Sequence, residues 1–220
     1  MRRSGMILKF FSLPLLLLGV LLLGGCGSDK RLSTDIEIKQ PSNKTHIGIL
    51  VAQSPVAGVE YESRSFIGRT DKNGAFRYKN GDLVVFRIKN VIIGRVNPAK
   101  EGPVITPLAL FDTDDTDDAR VMNTLFLLAN FDEDDNTADG IQITDEKTAP
   151  LRVQMDLSKI KKRIYEPELS SMFEIPLYGH FDAKKAKERF ESELTKKSVY
   201  EKMLQNYRIA ADSPKKIELK

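Results

Sequence analysis

A mainly β fold with packed helices, an antiparallel β-sandwich followed by two helices, is what this 220-residue chain predicts. Three observations carry the prediction. Between His46 and Val96, apolar runs of strand length alternate with Gly, Asn, Asp and Pro turn signals. Beyond residue 110 the apolar spacing becomes that of amphipathic helices, once near 118–130 and again from 182. The chain has one cysteine and no tryptophan, yet 11 Phe and 6 Tyr, so its core rests on aliphatic and Phe/Tyr side chains without a disulfide.

Taken in order, the first element is a leader. Arg2, Arg3 and Lys9 precede the apolar run Phe10 to Leu23, and small residues follow. Basic, apolar and small-residue regions in that order form a secretory signal. A membrane-spanning helix needs about 20 apolar residues; this run is shorter, and Pro14 interrupts it. The junction Leu23-Gly24-Gly25-Cys26 resembles the lipobox of bacterial lipoproteins. That resemblance implies cleavage before Cys26, a diacylglycerol on its sulfur and an acylated new amine. Two or three acyl chains attach a protein stably to a bilayer where one is marginal. Residues 1–25 are thus expected to be a lipoprotein signal peptide, and Cys26 the lipidation site. The lipid bilayer is then the first partner. Gly27, rather than Asp, follows the cysteine, which by the same resemblance implies the outer membrane in a Gram-negative envelope. Residues 26–45 are polar and weakly patterned, as in a flexible tether.

From His46 the strands begin. Ile47 to Val51 is a strand-length apolar run; Ser54-Pro55 marks a turn, and Val56 to Tyr61 follows. Asn73-Gly74 separates Phe66-Ile67 from Phe76-Arg77-Tyr78 and predicts a hairpin with positive φ at Gly74. Lys79-Asn80-Gly81-Asp82 is another turn, and Lys89-Asn90 joins Leu83–Ile88 to Val91–Val96. The sandwich is expected over 46–110, with a helical and acidic-loop part at 111–207 packed on it and a polar tail at 208–220.

Several of these stretches resemble a known module. They are Ser54-Pro55-Val56-Ala57-Gly58-Val59-Glu60-Tyr61, Gly68 to Tyr78, Gly81 to Ile88, Ile93-Gly94 and Thr106-Pro107-Leu108. Together they resemble the carboxypeptidase-regulatory, transthyretin-like β-sandwich of bacterial surface lipoproteins and adhesin-like proteins. The similarity continues through Val121 to Leu128, Phe131 to Asn136 and Asp139 to Ile143, where members have an asparagine-bearing helix, an acidic loop and a Gly-Ile turn. It covers roughly residues 47–195. It implies a fold and a place in the envelope rather than a chemistry.

Asp117 or Asp118 can cap a helix running to about Asn130, with Val121, Leu125 and Leu128 on one face. The acidic loop comes next. Asp132, Asp134 and Asn136 alternate like the first ligands of an oxygen-rich Ca²⁺ loop, and Asp139 follows close by. An EF-hand is excluded, because Thr137 stands where glycine is needed and Ile143 where glutamate is needed. Calcium on a different loop geometry and a solvated acidic turn are the two readings. The last helix is expected from Asp182, with Ala186, Phe190 and Leu194 as its stripe, continued by Val199, Met203 and Tyr207.

Charge narrows function further. The net +3 comes from the three basic residues of the leader, so the rest of the chain is balanced and offers no basic surplus for nucleic acid. No Gly-x-Ser-x-Gly elbow, P-loop or dinucleotide fingerprint occurs, and His46 and His180 sit in no metal-ligand spacing. The expectation is a membrane-anchored, non-enzymatic envelope lipoprotein that binds a protein or polysaccharide partner. An accessory hydrolase with a carboxylate site and a structural spacer or assembly factor are the alternatives.

Overall fold

β1 (Thr45–Leu50) explains the fold best, because its apolar run is buried from both sides. The structure, a computed structural model, describes residues 44–212, with side chains through Tyr207. The leader, Cys26 and all but the end of the tether lie outside the described residues, as does the tail from 213. The remaining strands are β2 (Val56–Ala57), β3 (Glu60–Glu62), β4 (Ile67–Arg69), β5 (Ala75–Lys79), β6 (Val84–Ile88), β7 (Val91–Val96), β8 (Val104–Ile105), β9 (Ile141–Gln142) and β10 (Met155–Asp156). The helices are α1 (Pro98–Glu101), α2 (Pro107–Phe111), α3 (Ala119–Asn130), α4 (Asp145–Thr148), α5 (Pro167–Met172), α6 (Ala183–Leu194) and α7 (Lys197–Asp212).

The strands form a three-stranded sheet β5-β1-β8, a five-stranded sheet β10-β7-β6-β3-β4 and a two-stranded pair β2-β9. The first two mix directions: β8 runs parallel to β1 and β10 parallel to β7, while the other neighbours are antiparallel. The architecture is therefore mixed α/β, with no closed barrel among the described residues. Phe76 of β5 meets Phe86 of β6 edge-on at 5.0 Å and Tyr61 of β3 at 5.8 Å, joining the two larger sheets through aromatic rings.

Strand alternation sends Leu50 and Ala52 into the main core, whereas Ile49 and Val51 enter a second cluster with Val104, Tyr200 and Leu204. Helix α7 supplies that second cover. A strand covered on both faces reads as an unbroken apolar run, which is the Ile47–Val51 pattern.

The Asn73-Gly74 turn forms, with Gly74 at φ +75°. It is not the expected hairpin. β4 before it pairs with β3, and β5 after it pairs with β1, so the turn passes the chain between sheets. Lys79–Asp82 also links different sheets, from β5 to β6, whereas Lys89-Asn90 joins the paired strands β6 and β7.

Asp118 caps α3, its carboxylate accepting the Arg120 N–H at 2.8 Å. The helix is buried nearly all round, from Val121 through Leu128, as suits a central helix. Two buried asparagines on it hold irregular chain. The Asn123 amide donates to Lys162 O at 2.8 Å and accepts from Ile164 N at 2.9 Å. The Asn130 amide donates to Pro176 O at 2.8 Å and accepts from Tyr178 N at 3.0 Å. Asp182 caps α6 through Lys185 N at 3.0 Å. The expected single last helix is two helices, broken at Thr195-Lys196, and the second extends beyond 207 to Asp212.

Candidate functional site

Two cavities flank α6, one at each end. At its C-terminal end, a cleft of about 520 Å³ opens between α2, β8 and the start of α7. Val51, Val104, Leu108 and Ala109 give it an apolar floor, while Glu101, Asp112 and Asp114 stand exposed at its edge. The volume lies in the range of small-molecule and peptide-anchor sites. Gly94 lets this region form: a Cβ there would stand 2.5 Å from the Leu110 Cβ, so α2 can lie on β7 only above a glycine.

The cleft also contains Glu193, whose side chain is 10% exposed. One of its carboxylate oxygens accepts from Lys196 and the other from the Tyr200 hydroxyl. Burial pushes the Tyr200 hydroxyl well above its ordinary pKa, and the bond to Glu193 adds to the rise. Each oxygen of the carboxylate accepts one hydrogen bond, so Glu193 ties the end of α6 to the start of α7.

At the N-terminal half of α6 lies a cavity of about 210 Å³. Gln53, from the loop between β1 and β2, enters it 95% buried. Its Nε2 reaches Thr137 Oγ1 at 3.5 Å, and its Oε1 has no hydrogen-bond partner among the described residues. Arg189 donates to the same Thr137 hydroxyl at 3.3 Å. His180, Asn136 and Lys185 complete the polar wall.

The acidic loop separates this cavity from a third, of about 260 Å³, reached by Asp132, Asp134, Asp139 and Lys72. An isolated bridge from Asp132 to Ile143 closes the base of the loop. Asp132 is 1% exposed. Its Oδ1 accepts from Gln142 N at 2.8 Å, and its Oδ2 is buried without a partner among the described residues. Burial pushes its carboxyl pKa up; the amides of Gln142 and Glu133 oppose the rise, and Asp134 and Asp139 add to it. Asp134 accepts from Asn136 N at 3.0 Å, and Asn136 accepts from Ala138 N at 3.3 Å. Among the described residues no three His, Cys, Asp or Glu side chains stand close enough together to hold a metal ion. The four residues picked out by spacing thus share one loop, with Asp132 at its base and the others at its surface.

The remaining sequence candidates fall elsewhere. His46 stacks on Tyr78 at 5.4 Å. The acidic 112–118 segment meets the basic helix through Lys187 and Asp117 at 3.7 Å. Among the described residues no helix is long and apolar enough to cross a membrane. Gln53 and Arg189 were not legible as a site, since nothing local to either signals a cavity; the Ser54-Pro55 turn beside Gln53 was the nearest clue. Compared with known protein families, with curated proteins and with solved structures, the chain finds no match in any of the three.

Proposed function

We propose that this protein is a lipid-anchored lipoprotein of the cell envelope whose folded part is a non-enzymatic binding module. Anchoring rests on Leu23-Gly24-Gly25-Cys26, outside the described residues, and carries the outer-membrane reading with it. The Phe76–Phe86 and Phe76–Tyr61 contacts between two sheets support a transthyretin-like sandwich reading of the β part.

The observation that carries the binding reading is the cleft of about 520 Å³ with its apolar floor and acidic edge. A protein segment presenting an apolar side chain flanked by basic residues fits that chemistry better than a neutral polysaccharide does. The test uses the full-length protein in detergent as bait for its own solubilised envelope. A partner that is retained by the wild type and lost on Ala109→Arg, which fills the cleft floor, supports the reading. Equal retention by both proteins overturns it.

A second reading has its own observation. The buried Oδ2 of Asp132, without a protein partner among the described residues, is satisfied by a cation, a proton or a water. Ca²⁺ supplies the charge if Asp134, Asn136 and Asp139 draw inward over it.

A further inference from the structure

The cavity beside Gln53 carries charges and hydrogen-bonding groups that the fold does not consume. Arg189 makes one hydrogen bond, to Thr137, and neither Arg189 nor Lys185 makes an ion pair among the described residues. The acids that reach the same space are engaged: Asp135 pairs with Lys147 at 2.9 Å, and Asp182 caps α6. Lys185 and Arg189 lie one turn apart on α6, so both cations face one side. Opposite them, the Gln53 amide lacks a partner on one atom at 95% burial. A buried amide oxygen left unsatisfied carries its desolvation cost uncompensated, and that cost is relieved when a ligand donates to it.

We propose that this cavity binds a small carboxylated polyol of the uronic-acid class. The carboxylate faces the Arg189 guanidinium, which can take it with two parallel N–H bonds, and the Lys185 ammonium. A ring hydroxyl faces Gln53. A hydroxyl both donates and accepts, so it satisfies the amide whichever way the amide is turned. A simple carboxylate such as acetate brings no such donor at neutral pH. Asp135 and Asp182 nearby disfavour a doubly charged ligand. The volume of about 210 Å³ suits a single sugar ring, and the half-buried Phe181 offers that ring an apolar face. The site lies at the opposite end of α6 from the large cleft and is independent of it.

The test is calorimetric or NMR titration of the full-length protein in detergent with glucuronate, glucose, acetate and inorganic phosphate. Glucuronate should bind at least roughly tenfold more tightly than each of the other three. Arg189→Gln and Gln53→Leu should each weaken glucuronate binding by a similar factor, with Lys197→Gln in the large cleft without effect. Arg189 is half-buried on a helix, so its variant remains informative even where the buried Gln53 variant fails to fold. Equal binding of glucose and glucuronate, tighter binding of phosphate, or glucuronate affinity unchanged in Arg189→Gln overturns the proposal. The bait experiment on the large cleft stands or falls separately.

Discussion

Residue 74 has room for no more than a hydrogen atom as its side chain. A Cβ there would stand 2.5 Å from the Leu50 carbonyl oxygen and 3.0 Å from the Val56 nitrogen, at φ +75°. Gly74→Val is expected to cost at least about 1–3 kcal/mol in backbone strain alone, read as a lower urea midpoint; an unchanged midpoint would mean that the turn can rearrange. Asp82 gives the pH dependence. Its side chain is 0% exposed and accepts from Lys79 N, Ser65 Oγ and Ser63 Oγ. Burial pushes its pKa up, but these bonds and Arg64 outweigh burial and leave it below the ordinary value. Its stabilisation is therefore present above the unfolded-state pKa of about 3.9 and disappears as pH falls through the lower folded value. Asp82→Asn should lower stability at neutral pH by about 1–3 kcal/mol and flatten the acid limb in unfolding titrations run across pH. At Asp132 the prediction concerns calcium. Full-length protein in detergent should melt higher in millimolar calcium than in chelator, and Asp132→Asn should abolish that difference. Equal melting temperatures in the wild type would leave the loop a solvated turn. The positive φ at Gly74 was readable in sequence because it follows a local rule. The partner bonds of Asp82 were not, because serines and a backbone amide from separate turns converge on it.

Among the elements, α7 shows where local pattern misleads. Val199, Met203 and Tyr207 continue the α6 stripe only if the helix is unbroken. The break at Thr195-Lys196 resets the phase: Tyr200 and Leu204 are buried on Ile49, Val51 and Val104, the expected Met203 and Tyr207 pack half-buried beside them, and the expected Val199 does not. Val199 is 58% exposed. Leu204→Ala should cost about 2–5 kcal/mol, whereas Val199→Ala should stay within about 0.5 kcal/mol, both read from denaturant midpoints. Equal effects would place the break elsewhere. Tyr207 still contributes, its hydroxyl donating to Asp71 at 2.8 Å and accepting from Asn73 at 2.6 Å beside the Gly74 turn. α3 starts at its expected cap, because a cap is encoded locally, but it is buried on nearly every face rather than along the one expected stripe. The buried asparagines on it clamp distant loops, and periodicity carries no information about what lies across from them.

For the whole molecule, the anchoring proposal makes a prediction about processing that does not touch the fold. Cys26→Ala should leave the folded part intact while abolishing metabolic labelling with a fatty acid and shifting the protein out of the membrane fraction or into an unprocessed form. A wild type that takes up no acyl chain would overturn the anchoring proposal. The β and helical parts also share their sheets: β8, β9 and β10, which follow the meander, pair in parallel with β1, β2 and β7. What the sequence determined by itself is local: the helix caps at Asp118 and Asp182, the Gly74 turn and strand-length runs such as Ile47–Val51. Each depends on residues within a few positions of one another, where sterics and hydrogen bonding act directly. What only the tertiary structure decided is the pairing of strands across sheets, the burial of both faces of β1, and the cavity uniting Gln53 with Arg189. Parallel pairing and cavity walls bring together distant stretches whose meeting depends on how the whole chain minimises exposed apolar surface and unsatisfied polar groups.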